Sequence, residues 1–256
     1  MGRVFINNQR LAQLAGVDFG SELIQPGPIV YSRTHSIVRQ FPRLAKFPSC
    51  VLITSFSDDC CTSSMIRRLP SNVRRWFSNN VMTRNPRVTA VPIGVRTSQE
   101  VEMELRRAID NGRQSIRNLM YVNFWRQIPR PINPREGLYE MFSGRPWVTA
   151  EGGFGHVPMS EFYTQIASHP YVLSPPGAGP DCHRHWESLL LGSVPVVLRS
   201  LATRLLEGLP CLQVASWDEV TEERLVAELP ALQARFAMAD MDVCWFEYWE
   251  RRVLAA

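Results

Sequence analysis

Lysine is almost missing from this 256-residue chain: Lys46 is the only one, and arginine makes up the rest of the 28 basic residues. Genome base composition accounts for such a bias, and so does phosphate recognition, because arginine's planar fork suits paired contacts to oxygen. Composition alone does not choose between them. Excess charge is also scarce. A net +4, spread along the chain, argues against a dedicated nucleic-acid binder, which concentrates its cations on one stripe. The six cysteines, Cys50, Cys60, Cys61, Cys182, Cys211 and Cys244, include no C-x-x-C pair, which speaks against a zinc ribbon or a disulfide framework. They read as small buried hydrophobes kept reduced in a cytosolic compartment. The amino terminus, MGRVFINNQR, lacks the apolar core of a signal peptide. No apolar run approaches the ~20 residues that span a bilayer. These absences give the expectation of a soluble cytoplasmic chain without a transmembrane segment; an anchor outside this sequence and peripheral contact with the inner membrane face stay open.

What is present is a globular composition, 45% apolar and 20% charged, in a length that suits one large domain or two ordinary ones. Short β-branched runs recur in the second half, at 119–124 (LMYVNF), 147–150, 171–174, 194–198 and 211–214. Segments of helical spacing lie between them, at 134–143, 158–168, 181–191 and 201–207. That alternation predicts parallel βαβ units in a doubly wound sheet. In the first half, strands are expected at 4–6, 29–31, 50–54 and 89–92, and helices at 71–80, behind a serine cap, and at 100–110, stopped by Asn111-Gly112. The fold expected is α/β, with two Rossmann-like lobes at 1–112 and 113–235. A carboxyl-terminal helix at 236–256 packs across them and is free to cross back to the first.

One stretch carries chemistry: SPPGAGPDCHRHWE at 174–187, followed by SLLLGSVPVV. It runs from a strand's carboxyl end through a glycine-rich loop into a helix, the crevice where open α/β sheets bind ligands. Gly177 and Gly179 allow backbone to approach an anion. Pro180 is suited to open the helix, whose free amides then make a phosphate site. Arg184 and Glu187, three apart, share a helix face, while Cys182, Trp186, Leu189 and Leu190 fall on a core-facing one. A nucleoside diphosphate needs that pair: a cation for the pyrophosphate and an acid for ribose hydroxyls. The bland reading is a solvated Arg–Glu pair. A rival reading takes Asp181, His183 and His185 as a metal site, but residues two apart on a helix point roughly 200° away from each other.

The run at 174–197 resembles the carboxyl-terminal signature of exostosin-like glycosyltransferases, in which Ser-Pro-x-Gly-x-Gly-x-Asp-x-His-Arg-x-Trp-Glu precedes a leucine-rich helix and Gly-x-x-Pro-Val-Val. Asp181, His183, Arg184, Trp186, Glu187, Gly192 and Pro195 all match. More distant resemblances at 52–58 (LITSFSD), 76–80 (WFSNN), Asn85-Pro86, 91–94 and 119–124 extend it over most of 50–225. The resemblance implies a GT-B fold, with a nucleotide-sugar donor as substrate in the carboxyl lobe, a glycan or glycolipid acceptor against the amino lobe, no obligatory metal and no further cofactor.

On that reading Gly177, Gly179, Asp181, His183 and Arg184 bind the donor diphosphate, Glu187 the ribose, and Asn123 and Arg126 add contacts at the end of the 119–124 strand. Asp58, or its neighbour Asp59, is the catalytic base, although Ser55 and Phe56 depart from the family pattern there. The loop 151–156 (EGGFGH) is a second place for a base. Transfer by single displacement inverts the anomeric centre. The alternatives are a metal-dependent phosphohydrolase built on Asp181, His183 and His185, and a non-catalytic nucleotide-binding module. Asp240-Met-Asp242 reads as a solvated helix face, and the aromatics Trp245, Phe246, Tyr248 and Trp249 as packing.

Overall fold

A computed structural model describes residues 3–15, 27–128, 133–151 and 157–256. The chain is α/β, with parallel sheets, and divides into two compact units. The first comprises Met1–Gly94, Ser200–Leu205 and Met241–Ala256; the second comprises Val95–Arg199 and Leu206–Asp240. The helix expected at 100–110 therefore belongs to the second unit rather than closing the first.

In the first unit, a short helix α1 (Asn8–Gln13) precedes β1 (Ile29–Arg33), α2 (Thr34–Leu44), β2 (Cys50–Ser55), β3 (Cys61–Thr62), α3 (Ser63–Arg67), β4 (Val73–Ser78), β5 (Val81–Met82) and β6 (Val88–Ala90). The four longer strands pair in parallel in the order β1-β2-β4-β6, and β3 pairs with β5. Successive side chains alternate between two cores, as strand geometry requires. Val30, Leu52 and Trp76 face a core with Ile37 and Phe41 of α2. Tyr31, Ile53 and Phe77 face another with Leu11 of α1 and with Trp249 and Val253 near the carboxyl terminus.

Residues 73–78 correct the sequence expectation. The segment behind Ser71 is strand β4, paired on both sides, not a helix. Long-range pairing overrides the serine cap there: Trp76 is fully buried and its indole N–H donates to Thr54 Oγ1 at 2.8 Å. The strand expected at 4–6 is reduced to an isolated bridge between Phe5 and Trp245.

The second unit runs α4 (Gln99–Asp110), β7 (Met120–Val122), α5 (Leu138–Ser143), β8 (Val148–Ala150), α6 (Met159–Ala167), β9 (Tyr171–Leu173), α7 (His183–Leu190), β10 (Val194–Leu198), β11 (Leu212–Val214) and α8 (Glu222–Met238). Asn111 caps α4 and Gly112 follows at φ +68°, the stop expected from that dipeptide. The segment after β10 makes a 3-10 helix, Ala202–Leu206. The sheet order is β11-β10-β9-β7-β8, all parallel. Sequence order thus reverses between β7 and β9, and open α/β sheets bind ligands outside the carboxyl ends at such a point. Met120, Val122, Tyr171, Leu173, Val194 and Val196 build the core against Leu138 and Phe142 of α5 and Leu225 and Leu232 of α8.

The last helix, α9 (Phe246–Leu254), belongs to the first unit, where Trp249 and Val253 are core residues. Trp245 stacks on Phe5 with ring centres 5.1 Å apart, which bears out packing for these aromatics. Asp242 pairs with Arg3 on the surface. Among the described residues, no helix is long and apolar enough to cross a membrane. None of the six cysteines is in a disulfide.

Candidate functional site

Ser174 ends β9 by donating its N–H to the carbonyl of Val196 at 2.9 Å. Pro175 and Pro176 then stop the strand, having no N–H to donate, but their carbonyls still accept. Arg135 uses both, through Nε to Pro176 at 2.8 Å and Nη2 to Pro175 at 3.4 Å, and its Nη1 reaches the carbonyl of Trp125 at 2.9 Å. One buried guanidinium thus ties the loop after β7 to the loop after β9. Gly177 makes room for this approach: a Cβ would lie 3.3 Å from Arg135 Nη2, a tight contact, and 3.6 Å from Cys182 Sγ, an ordinary one. Its N–H donates to Gly179, which closes the turn.

Helix α7 begins at His183, not at Pro180, with Cys182 in extended conformation as the cap. Asp181 lies just ahead of it. Its Oδ1 accepts from the Trp186 indole at 2.9 Å and lies 3.2 Å from His185 Nδ1. His185 Nε2 faces the Ser174 carbonyl, an obligate acceptor, so Nε2 carries a proton. Asp181 and His185 therefore hold the loop against the helix. His183 stands on α7 two residues away from His185, and among the described residues no group of three metal-ligating side chains is assembled.

Arg184 occupies the first turn of α7 and is only 7% exposed. Its Nε is buried without a hydrogen-bond partner. Burial, and then the neighbouring Arg135, push its pKa down to about 10. A desolvated cation without full compensation is costly, and an incoming anion relieves that cost.

Glu187 compensates it only in part. It is fully buried, and its Oε2 is ion-paired with Arg96 while Oε1 accepts from the Tyr163 hydroxyl at 3.1 Å. Burial opposes the charge of Arg96, but Glu187 and Tyr163 more than offset it and hold its pKa above the ordinary value. The solvated Arg–Glu pair considered from sequence is therefore absent, and so is an exposed carboxylate for ribose. Trp186 and Leu189 are core, as the spacing implied, whereas Leu190 is only half-buried.

Beside Arg184, at the ends of β7 and β8, Glu151 gathers donors. Tyr121 donates through its hydroxyl at 2.5 Å and Gln165 through Nε2 at 2.8 Å. Asn123 donates to the Tyr121 oxygen at 2.8 Å. Burial, then the bond to Glu151, raise the pKa of Tyr121, while Arg184 pulls it the other way. Asn123 is thus brought to the crevice; the Arg126 carbonyl accepts from Asn133 Nδ2 at 2.6 Å in the loop that carries Arg135, and the Arg126 Nε is buried without a hydrogen-bond partner. Arg126 pairs with Glu140 at 3.1 Å and lies over the Tyr139 ring at 3.7 Å, both on α5. The rest of the expected 151–156 loop, residues 152–156, lies outside the described residues.

Sequence reasoning missed Arg135, Arg96 and Tyr163. Asn133-Pro134 signals the turn that presents Arg135, and Asn133 Oδ1 accepts from the Arg135 N–H at 3.1 Å, but nothing local marks the guanidinium's target. Arg96 precedes α4 without any motif.

In the first unit, Asp58 and Asp59 are exposed, just beyond the carboxyl end of β2. Near them two non-glycine residues have positive φ, Phe56 at +51° and Asn80 at +49°. Asn80 Nδ2 donates to the Ser57 carbonyl at 3.2 Å. Both polar side-chain atoms of the buried Asn79 lack a partner. Strain and an unsatisfied amide at two neighbouring strand ends are features of functional edges.

Against known proteins, the chain matches no family model and no curated protein sequence.

Proposed function

We propose that this protein is a glycosyltransferase of GT-B type that moves a sugar from a nucleoside-diphosphate sugar to a hydroxyl of a glycan or glycolipid acceptor. The observation that carries the reading is Arg184: a buried guanidinium with an unpartnered Nε, next to Arg135, behind a glycine-rich loop at the point where strand order reverses. The resemblance of 174–197 to the exostosin-like signature supports it, because Arg184 stands at that signature's arginine.

In the reaction the bond between the anomeric carbon and the diphosphate oxygen breaks, and the acceptor oxygen forms the new one. Arg184, Arg135 and the amides of Ala178, Gly179 and the start of α7 take up the charge left on the diphosphate. Glu187 and Arg96 position α7 rather than touch the donor, and Asn123 with Glu151 offers hydrogen bonds to the donor's hydroxyls. The acceptor's proton goes to Asp58, or to Asp59. Displacement in one step inverts the anomeric centre.

Thermal denaturation against a panel of nucleoside diphosphates tests the binding step. A ligand at ~100 times its Kd stabilises by ~2.7 kcal/mol, which for a chain of this size raises Tm by roughly 5–10 °C. Arg184→Ala is expected to abolish the shift; an equal shift in wild type and variant would sink the assignment. With an active donor in hand, a product of retained anomeric configuration would overturn the single displacement.

A further inference from the structure

The second unit contains a cavity of about 440 Å³, a size that holds a small ligand. It is lined by the end of α5, the residues that lead into β8, the 3-10 helix Trp217–Glu219 and the start of α8. It shares no described residue with the Arg184 crevice. Two indoles stand in its wall. Trp147 is only 9% exposed and is held edge-on by Phe142, with ring centres 6.2 Å apart. Trp217 packs against the same core but stays half-buried. Among the described residues neither indole N–H has a hydrogen-bond partner, and neither is sealed in the core. A tryptophan packed as deeply as Trp147 ordinarily finds a partner for its N–H, so it brings an unmet donor to the cavity. Charged groups share the wall. Arg145 gives its Nε to the Met141 carbonyl at 3.4 Å, and neither it nor Glu222 has an ion-pair partner among the described residues. Asp218 accepts from Ser216 Oγ at 2.8 Å through Oδ2, which leaves Oδ1 unengaged.

We infer that this cavity is a saccharide-binding site, separate from the donor crevice, that seats one neutral pyranose ring of a glycan. The carboxylates of Asp218, Glu222 and Glu223 work against a phosphate there, and Arg145 works against a simple cation. What fits is a neutral ligand with an apolar face and a rim of groups that both donate and accept. A pyranose has both: C–H bonds on its face and hydroxyls around its edge. Trp217 is the platform for the face. The Trp147 N–H and the Arg145 guanidinium donate to ring hydroxyls, and Glu222 and Asp218 accept from them. The inference does not depend on the donor-site reading, because it uses none of that site's residues. Such a site gives the second unit a hold on a glycan chain away from the point of transfer.

Ligand-observed NMR titration of the intact chain with cellobiose, maltose, lactose and chitobiose tests it, with choline alongside. At least one disaccharide is expected to bind wild type. Glu222→Ala, at an exposed position whose loss the fold tolerates, weakens that binding roughly 10-fold, the size of one lost hydrogen bond to a charged group. Trp217→Ala abolishes it, and Trp217→Phe, which keeps a flat ring, retains most of it. If no disaccharide binds, or if one binds and neither Glu222→Ala nor Trp217→Ala weakens it, the inference is overturned. If choline binds in a Trp217-dependent way and the saccharides do not, the cavity takes a cation and the inference is overturned as well. Arg184→Ala is expected to leave saccharide binding unchanged, and Trp217→Ala to leave the thermal response to nucleoside diphosphates unchanged, so the failure of either site is read separately from the other.

Discussion

Glu187 is the residue whose role changes most between sequence and structure. Its position three after Arg184 suggests a ligand contact, yet its carboxylate is buried and held by Arg96 and Tyr163. Loss of one partner of a wholly buried pair costs ~3–5 kcal/mol. Arg96 is about a third exposed, so Glu187→Ala is expected to cost less, roughly 2–4 kcal/mol. Urea denaturation measures this, and a loss under ~0.5 kcal/mol, the size of an ordinary surface change, would contradict the anchoring role. Arg184 shows the opposite arrangement. Its side chain is as buried, but its Nε has no partner, so the same helix carries one satisfied charge and one that is not. Residue type and spacing showed that both mattered; only the positions of Arg96 and Arg135, distant in sequence, decide which is anchor and which is ligand-facing.

Elements place these residues through a few close backbone approaches. Gly94 sits at φ +70° against the bridge to Asn7, and a Cβ there would lie 2.6 Å from the Ile6 carbonyl carbon and 3.1 Å from the Asn7 nitrogen. Gly112 has nearly the same φ, +68°, with nothing within 4 Å. Gly94→Ala is expected to cost about 3 kcal/mol or more, strain and overpacking together, and Gly112→Ala about 1 kcal/mol, from strain alone. Equal denaturation midpoints for the two variants would contradict the crowding at Gly94. The parallel strands of the second unit are legible in sequence because both faces of the sheet are covered, which leaves continuous apolar runs such as VPVVL at 194–198. Strand β4 is not legible: Arg74 and Arg75 interrupt it, and its pairing with β2 and β6 lies outside any local window. The start of α8 is obscured by Pro230, which draws attention to a boundary, whereas the helix begins at Glu222 behind the Thr221 cap. For the candidate site, the glycine-rich loop and the α7 signature were readable because they are contiguous. Arg135 and Tyr163 were not, since one comes from the loop after β7 and the other from α6, both distant in sequence from α7.

At the scale of the whole chain, the first unit is assembled from three stretches of sequence. Its second core needs Trp249 and Val253 from α9 to cover Tyr31, Ile53 and Phe77. Removal of Met241–Ala256 is therefore not a trimming of a tail. Hydrogen exchange on a chain ending at Asp240 is expected to show lost protection over β1, β2 and β4, with protection retained over β7, β9 and β10. Uniform loss, or none, would contradict this independence. The same discontinuity bears on biosynthesis. The second unit is complete in sequence once Asp240 has been made, while one face of the earlier sheet still waits for its cover. The part of the protein begun later can thus close first, and the part begun earlier carries an exposed apolar face until Met241–Ala256 has been made, the interval in which this stretch is most open to chaperones and to aggregation.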